Sequence, residues 1–207
     1  MLTTQEKLTT IALFFLIIGF LFTTVAFSTT GWLELLHKGR KFHIGLWRVC
    51  ERRCYNLDGI VLNWWGYVQT TGCVGLVGTL CATILTAVCI YVERFQWNNK
   101  LLRFAAIVTI LTWIMEVSGC VTFVVSWIRT SPDYGANDDL FYLGLPTLTT
   151  DRTDLSYSLV FAILGAQLTL VGGIMLFHVL QKIEECSKET IREGSGSTSF
   201  TPEIRAS

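Results

Sequence analysis

The residues best placed for covalent chemistry are two cysteines, Cys50 and Cys54, which flank the triplet Glu-Arg-Arg. If that triplet forms a hairpin turn, the cysteines face each other across an antiparallel ladder, with Cα atoms about 5.5 Å apart. This separation lies within the range of about 4.4–6.8 Å that a disulfide spans. We therefore predict a Cys50–Cys54 disulfide. Two free thiols, or half of a metal site, are the alternatives, but His37 and His43 are isolated.

An ionisable residue, Glu116, falls near the centre of a long apolar run. An ionisable group at that depth in a bilayer is expensive and by default marks a functional position. Gln167 falls at a matching depth in another apolar run, so we predict a Glu116–Gln167 hydrogen bond. Contact between helices of this chain is the first interpretation. Contact with the helices of a partner protein and ion transport are the alternatives, and transport would require several such groups.

No group of residues has the spacing of a catalytic site. The histidines are scattered, and the sequence contains neither a glycine-rich phosphate loop nor a pair of carboxylates on a soluble scaffold. Lys plus Arg, 16 in all, equals Asp plus Glu, so the net charge of zero does not suggest nucleic acid. We therefore expect no enzyme activity, no metal site and no cofactor.

Four apolar runs must position these residues, at about 8–27, 72–92, 101–128 and 155–180. Each is close to the ~20 residues that a helix needs to cross a ~30 Å hydrocarbon core. Charged residues make up only 15% of the chain, compared with about 25% in soluble domains. We predict an all-α membrane protein, a four-transmembrane-helix bundle over residues 1–181, with the lipid bilayer as its first partner.

The two ends of the chain need separate interpretations. The first apolar run is longer than the apolar region of a signal peptide, and no clear cleavage site follows it, so we expect an uncleaved span. After the last run, residues 182–207 include a Gly/Ser/Thr-rich stretch from Gly194, and we expect a largely disordered cytoplasmic tail. Cys186, just beyond the last span, is a palmitoylation candidate.

The loop of residues 28–71 has strand character. Segments 32–36 and 42–49 are apolar and partly alternating, and residues 38–40 between them form a turn signal. We predict a small antiparallel β-sheet formed by this loop. Counting Lys and Arg on the two sides gives a tie, so the positive-inside rule does not fix the orientation. A disulfide requires an oxidising compartment, which places loops 28–71 and 129–154 outside the plasma membrane and both termini in the cytoplasm.

The two outer loops carry opposite charges. The first has six Lys or Arg against three acidic residues, and the second has five Asp against two Arg. Solvation with attraction between the loops, contact between molecules, and a charge-selective aqueous path are the three interpretations. Complementary charge guides docking. The interaction candidates are Arg48, Arg52, Arg53, Asp133, Asp138 and Asp139.

Two further patterns concern packing. Gly72, Gly75, Gly78 and Ala82 recur on one helix face, and small residues let membrane helices approach closely. We interpret them as packing within the bundle, with a dimer contact as the alternative. The aromatic cluster at 64–67 precedes the second span, and we interpret it as an interfacial aromatic belt, with adhesive or membrane-dipping contact as the alternative.

The order of motifs between the first two spans resembles that of the claudin superfamily. Trp32 comes first, then Gly45-Leu46-Trp47, then the two cysteines, and Gln69 resembles a glutamine often found before the second span. This superfamily includes claudins, peripheral myelin and epithelial membrane proteins, and calcium-channel γ subunits. The resemblance covers residues ~8–181 in layout, but only the first-loop motif is specific.

This resemblance implies a protein of cell–cell contacts that associates with itself in one membrane and between cells, sealing or tuning the paracellular space. It also implies two alternatives: an auxiliary subunit of an ion channel or receptor, and a protein of membrane organisation. The chain departs from claudins in its closely spaced cysteines. It also ends in Arg-Ala-Ser, where claudins typically have an apolar terminus that binds PDZ domains, which weakens the link to PDZ scaffolds.

Overall fold

The computed structural model describes residues 4–37, 40–57, 63–92, 98–130 and 152–196. This part of the chain forms helices α1 (Thr4–Ser28), α2 (Asn63–Tyr91), α3 (Asn99–Thr130) and α4 (Tyr157–Gly196). All four are long and apolar enough to cross a membrane. Together with a small antiparallel sheet, they confirm the predicted fold class, a four-helix membrane bundle.

The helices pack as a ring. α1 lies mainly on α4, α2 on α3, and α3 on α4, while the contact between α1 and α2 is the least extensive of the four. Large apolar side chains point outwards, and Phe14, Val77, Leu111 and Phe177 are each more than half exposed. Such an outer surface would be unfavourable in water and suits a hydrocarbon environment. The chain is therefore a multi-pass membrane protein.

The described residues form a five-stranded sheet beside one end of the bundle, in the order β4-β3-β2-β1-β5. The strands are β1 (Leu33–His37), β2 (Arg40–Ile44), β3 (Arg48–Cys50), β4 (Cys54–Asn56) and β5 (Arg152–Leu155). All neighbouring strands are antiparallel. We had expected strands from the first loop only, but β5 comes from the segment before α4 and pairs with β1. The expected 42–49 strand is two strands, divided at residues 45–47.

Two apolar clusters fill the interior. One lies at the sheet end and combines Trp32, Leu46 and Trp65 with Phe123 of α3. The other lies at the opposite end and includes Leu16, Leu102 and Leu176. Between them along α3, the interior carries the buried Glu116, 7% exposed. The bundle therefore has two apolar ends and a polar centre.

The glycines of the helix faces pack within the bundle, as we had interpreted. A Cβ added at Gly75 on α2 would lie 2.7 Å from the Glu116 side chain on α3. A Cβ added at Gly165 on α4 would lie 2.6 Å from the Thr23 hydroxyl on α1. Because real Cβ atoms do not approach other atoms this closely, the glycines let neighbouring helices come together.

Two helices extend beyond the apolar runs. α2 begins at Asn63, well before residue 72, and α4 continues to Gly196, well past residue 180. The polar start of α2 is held by contacts to the sheet. The extension of α4 is rich in Lys and Glu, which are strong helix formers, so residues 182–196 are helical where we had expected a largely disordered tail.

Candidate functional site

Trp32 fixes the start of the sheet to the bundle. It is 4% exposed, and its indole N–H donates a hydrogen bond to the backbone carbonyl of Ala26 at 2.7 Å. Its ring meets Phe123 of α3 edge-to-face, with centroids 4.9 Å apart. A buried tryptophan usually pairs its N–H in this way. Trp32 thus connects α1, the sheet and α3.

Gly45 lies where the backbone of the sheet passes the end of α1. A Cβ at this position would lie 2.7 Å from both the Thr29 carbonyl oxygen and the Thr30 Cα. Both are backbone atoms, so they cannot rotate away. The Gly45 N–H also donates to the Arg48 carbonyl at 2.8 Å, which closes the turn between β2 and β3. Glycine is required here by close approach.

Leu46 joins the same turn to α2. Its side chain is 1% exposed, and its carbonyl oxygen accepts two hydrogen bonds, from Trp65 Nε1 at 3.1 Å and Gln69 Nε2 at 2.7 Å. Trp65 is itself 1% exposed and belongs to the sheet-end core. The interfacial-belt interpretation is therefore wrong for Trp65, because its indole N–H is used inside the protein.

Trp47, the last residue of the Gly-Leu-Trp motif, lies on the outside of the protein. It is 41% exposed, and its ring packs edge-to-face on Phe27 near the end of α1, with centroids 5.2 Å apart. Each residue of Gly45-Leu46-Trp47 therefore has a separate role. The glycine allows the approach to α1, the leucine carbonyl binds α2, and the tryptophan covers the outer side of α1.

The predicted disulfide is present. Cys50 and Cys54 are bridged, with Cα atoms 4.1 Å apart, and they lie opposite each other in the β3–β4 register. The Glu51 N–H donates to the Arg53 carbonyl at 3.2 Å inside the turn, so the flanking cysteines form the pair without ladder bonds. Such pairs lie closer, at about 4.5 Å, which explains why the distance is shorter than the one we expected.

This bridged hairpin presents a basic surface. Arg48, Arg52 and Arg53 are all exposed, and Tyr55 on β4 is 66% exposed. In the described part of the chain, no ion pair involves these three arginines, whereas Arg40 pairs with Glu51 at 3.4 Å. The guanidinium groups are therefore available to a partner. We call Arg48, Arg52, Arg53 and Tyr55 the hairpin surface.

Other predicted residues lie outside the described residues. These are the second-loop aspartates Asp133, Asp138 and Asp139, and also the side chain of Cys186, although α4 passes through that position. Their contacts, and the palmitoylation of Cys186, remain predictions.

Glu116 contacts two helices other than its own. Its Oε1 atom accepts a hydrogen bond from Thr79 of α2 at 3.0 Å and another from Thr23 of α1 at 3.4 Å. Gln167 is exposed on the outer surface of α4. The predicted Glu116–Gln167 hydrogen bond is therefore wrong. The two residues share a depth, but depth does not specify which way a side chain points around its helix axis.

Gln167 instead lines an outer groove between α3 and α4. This groove has a volume of about 300 Å³ and is otherwise apolar or sulfur-bearing, with Cys120, Val121 and Ile163 among its lining residues. A second groove of about 350 Å³ lies between the same helices at the opposite end and includes Ile107 and Phe177. We call them the upper groove, at the sheet end, and the lower groove.

Sequence reasoning missed several residues that build these sites. Trp65, Phe123, Thr23 and Thr79 are all buried, and none was singled out for its actual role. The threonines carried a usable signal, since a hydroxyl within an apolar span is a natural partner for a buried carboxyl. Phe123 carried none, because one phenylalanine in an apolar run looks like any other.

Comparison of the chain with models of known protein families gives no match. Comparison with curated proteins gives no match either. The sequence motif and the geometry of the sheet end are therefore the features that indicate a function.

Proposed function

We propose that the protein is a claudin-like integral membrane protein of cell–cell contacts, which associates with itself to seal or tune the paracellular space or to support adhesion. The observation that carries the proposal is the hairpin surface. Its arginines are exposed, while the sheet behind them is fixed to the bundle through Trp32, Gly45 and Leu46.

Rigid presentation favours binding. A flexible loop must be ordered when it meets a partner, and fixing the backbone of each residue then opposes association by about 1–2 kcal/mol. Here the Cys50–Cys54 bridge and the paired strands hold the backbone of the hairpin before any partner arrives. Much of the ordering is therefore complete in the free protein.

A second copy of this chain is the partner that its own charges favour. By sequence the first loop is basic and the second is acidic, and contact between neighbours in one membrane or between two cells would bring these opposite charges together. Complementary charges steer encounter and set orientation more than they add affinity. The charge pattern thus supports specific self-contact between loops.

The proposed orientation follows from the disulfide. Disulfides persist in oxidising compartments and are rare in the cytosol. We therefore place the protein in the plasma membrane, with the sheet outside the cell and both termini in the cytoplasm. The Lys and Arg counts of the two sides are equal, so they do not oppose this orientation.

The experiment reverses charge on the hairpin surface. The variant Arg52→Glu/Arg53→Glu should reduce clustering at contacts between expressing cells, and added salt should reduce wild-type clustering, since exposed charges are screened beyond about 8–10 Å. The matched control is Lys7→Glu/Lys100→Glu, which makes the same charge change at exposed positions on the opposite end of the bundle. Equal clustering by all three proteins would count against the proposal.

A second candidate function is supported by the upper groove. Gln167 is a polar side chain on an outer helix surface, where unpaired amides in hydrocarbon are unfavourable. A helix from another membrane protein could supply its partner, so the alternative is an auxiliary subunit of an ion channel or receptor. In that case the outer face of α3 and α4 carries the interaction.

Polar substitutions separate the two functions. Ile163 lines the upper groove, and Val160 is exposed on the same helix outside it. For an auxiliary subunit, Ile163→Gln should abolish co-purification with the partner channel while Val160→Gln and the Arg52/Arg53 reversal leave it intact. For a contact protein, the arginine reversal should have the larger effect, measured as clustering.

A further inference from the structure

A small cavity lies beneath the sheet and is lined by residues of all four helices. Its volume is about 30 Å³, and Trp32 and Leu46 line it on the sheet side while Glu116 lines it towards the centre of the bundle. One water needs roughly 10–15 Å³ measured in this way. The cavity therefore has room for a small ion together with one water molecule.

Glu116 has one oxygen without a partner. The residue is 7% exposed, and its Oε2 atom is buried with no hydrogen-bond partner among the described residues. Its Oε1 atom is already bonded to Thr23 and Thr79. A buried carboxylate oxygen with no partner is strongly unfavourable, so the charged form of Glu116 needs a donor or a cation at this atom.

The threonine hydroxyls of the cavity have no proton to spare for Glu116 Oε2, and the Cys120 thiol, a weak donor that also lines the cavity, forms no hydrogen bond with that atom. Each threonine hydroxyl has one proton to donate. The Thr71 hydroxyl shares its proton between the helix carbonyls of Tyr67 and Val68, at 3.0 and 3.1 Å. The Thr23 hydroxyl is directed to Glu116 Oε1. The polar atoms around the cavity therefore present lone pairs, which select a proton donor or a cation.

The single charge of Glu116 and the oxygen ligands of the cavity favour a monovalent cation as its occupant. In the described part of the chain, no Lys, Arg or His forms an ion pair with Glu116. No three His, Cys, Asp or Glu side chains there come together as metal ligands. One carboxylate balances one positive charge, and carboxylate and hydroxyl oxygens suit hard cations.

We propose that this cavity binds one sodium ion, held by Glu116 Oε2 and the hydroxyl oxygens of Thr23 and Thr71 with a water molecule completing its shell. Because Thr23 is on α1, Thr71 on α2 and Glu116 on α3, the ion joins three helices directly under the sheet. The ion therefore stabilises the helix ends on which the sheet, with its hairpin surface, packs. The inference does not depend on either proposed function.

The test compares sodium with an ion too large for the cavity. A ligand that binds only the folded state stabilises it by RT ln(1 + [L]/Kd), so the melting temperature rises with ligand concentration. Purified full-length protein in detergent is melted in increasing NaCl, with choline chloride replacing it at constant ionic strength. NaCl should raise the melting temperature above that in choline chloride. Glu116→Gln should remove this difference, while Glu184→Gln, outside the cavity, should retain it.

If Glu116→Gln does not fold, a second variant tests the same site. Thr71→Val preserves the shape of the side chain but removes one oxygen, and it should weaken sodium affinity by about tenfold or more. Equal melting temperatures in NaCl and choline chloride for the wild type would overturn the proposal in favour of a neutral carboxyl or a bound water. So would a sodium effect that survives both Glu116→Gln and Thr71→Val.

Discussion

At the scale of single residues, Gly45 decides where the sheet sits. Its missing Cβ leaves room for the Thr29 carbonyl and the Thr30 Cα, each of which would be 2.7 Å from a substituent. The position of a glycine in the Gly-Leu-Trp motif could be predicted from the sequence. The backbone that it faces could not, because that contact forms only when the sheet folds back onto α1.

Gly45→Ala should therefore lower the free energy of unfolding by about 1–3 kcal/mol, because the added methyl must displace backbone atoms. The matched control is Gly66→Ala, since Gly66 lies in α2 with nothing within 4 Å of a Cβ. That control should be neutral or stabilising by up to about 1 kcal/mol, the usual helix preference for alanine over glycine. Denaturant unfolding in detergent measures both. An equal effect of the two substitutions would contradict the close contact at Gly45.

The hydrogen-bond partners of Glu116 could not be predicted from its depth in the membrane alone. Its position in an apolar run predicted a buried polar centre, and the structure has one. Its partners turned out to be Thr23 and Thr79, because helix rotation, and not depth alone, decides which side chains meet. Only the packed bundle specifies that rotation.

At the scale of elements, the start of α2 depends on the sheet. A hydropathy pattern finds only the apolar part of this helix, whereas residues from Asn63 onwards are helical as well. Trp65 and Gln69 in this first part both donate to the Leu46 carbonyl. Strand β5 was missed for a similar reason, since its pairing with β1 is a long-range contact and a four-residue strand has little pattern of its own.

Because Trp65 and Gln69 both donate to the Leu46 carbonyl, substitutions of the two residues should have coupled effects on stability. Trp65→Phe or Gln69→Leu alone leaves the Leu46 oxygen with one partner, but the double variant leaves it buried and unpaired, which is unfavourable by about 1–3 kcal/mol. A double-mutant cycle of unfolding free energies should therefore show destabilisation beyond the sum by about 1 kcal/mol. The control pair, Gln69→Leu with Thr10→Val, joins exposed Thr10 near the start of α1, and its effects should add. Additive effects in both pairs would show that the shared carbonyl does not couple the residues.

At the scale of the whole molecule, the sheet and its bridge mark one end of the bundle, while Lys100 and the Arg103–Glu184 ion pair mark the other. Four spans and an even number of crossings could be predicted from the runs of apolar residues. The side of the membrane could not be read from Lys and Arg counts, and it depends on the redox requirement of Cys50–Cys54.

Labelling of native lysines tests this orientation without any substitution. Lys41 on β2 and Lys100 at the start of α3 are both exposed. A membrane-impermeant amine reagent on intact cells should modify Lys41 and leave Lys100 unmodified until the cells are permeabilised, as read by peptide mass spectrometry. Lys188, exposed near the end of α4, should behave like Lys100. Modification of Lys100 and Lys188 on intact cells, with Lys41 protected, would reverse the orientation.

A function at contacts between cells is tested most directly by mixing cells that express a fluorescent fusion with cells that do not. The protein should accumulate only at borders where both neighbours express it, and Arg52→Glu/Arg53→Glu should abolish that accumulation. A uniform distribution over the membrane, identical at both kinds of border and unchanged by the arginine reversal, would contradict this function.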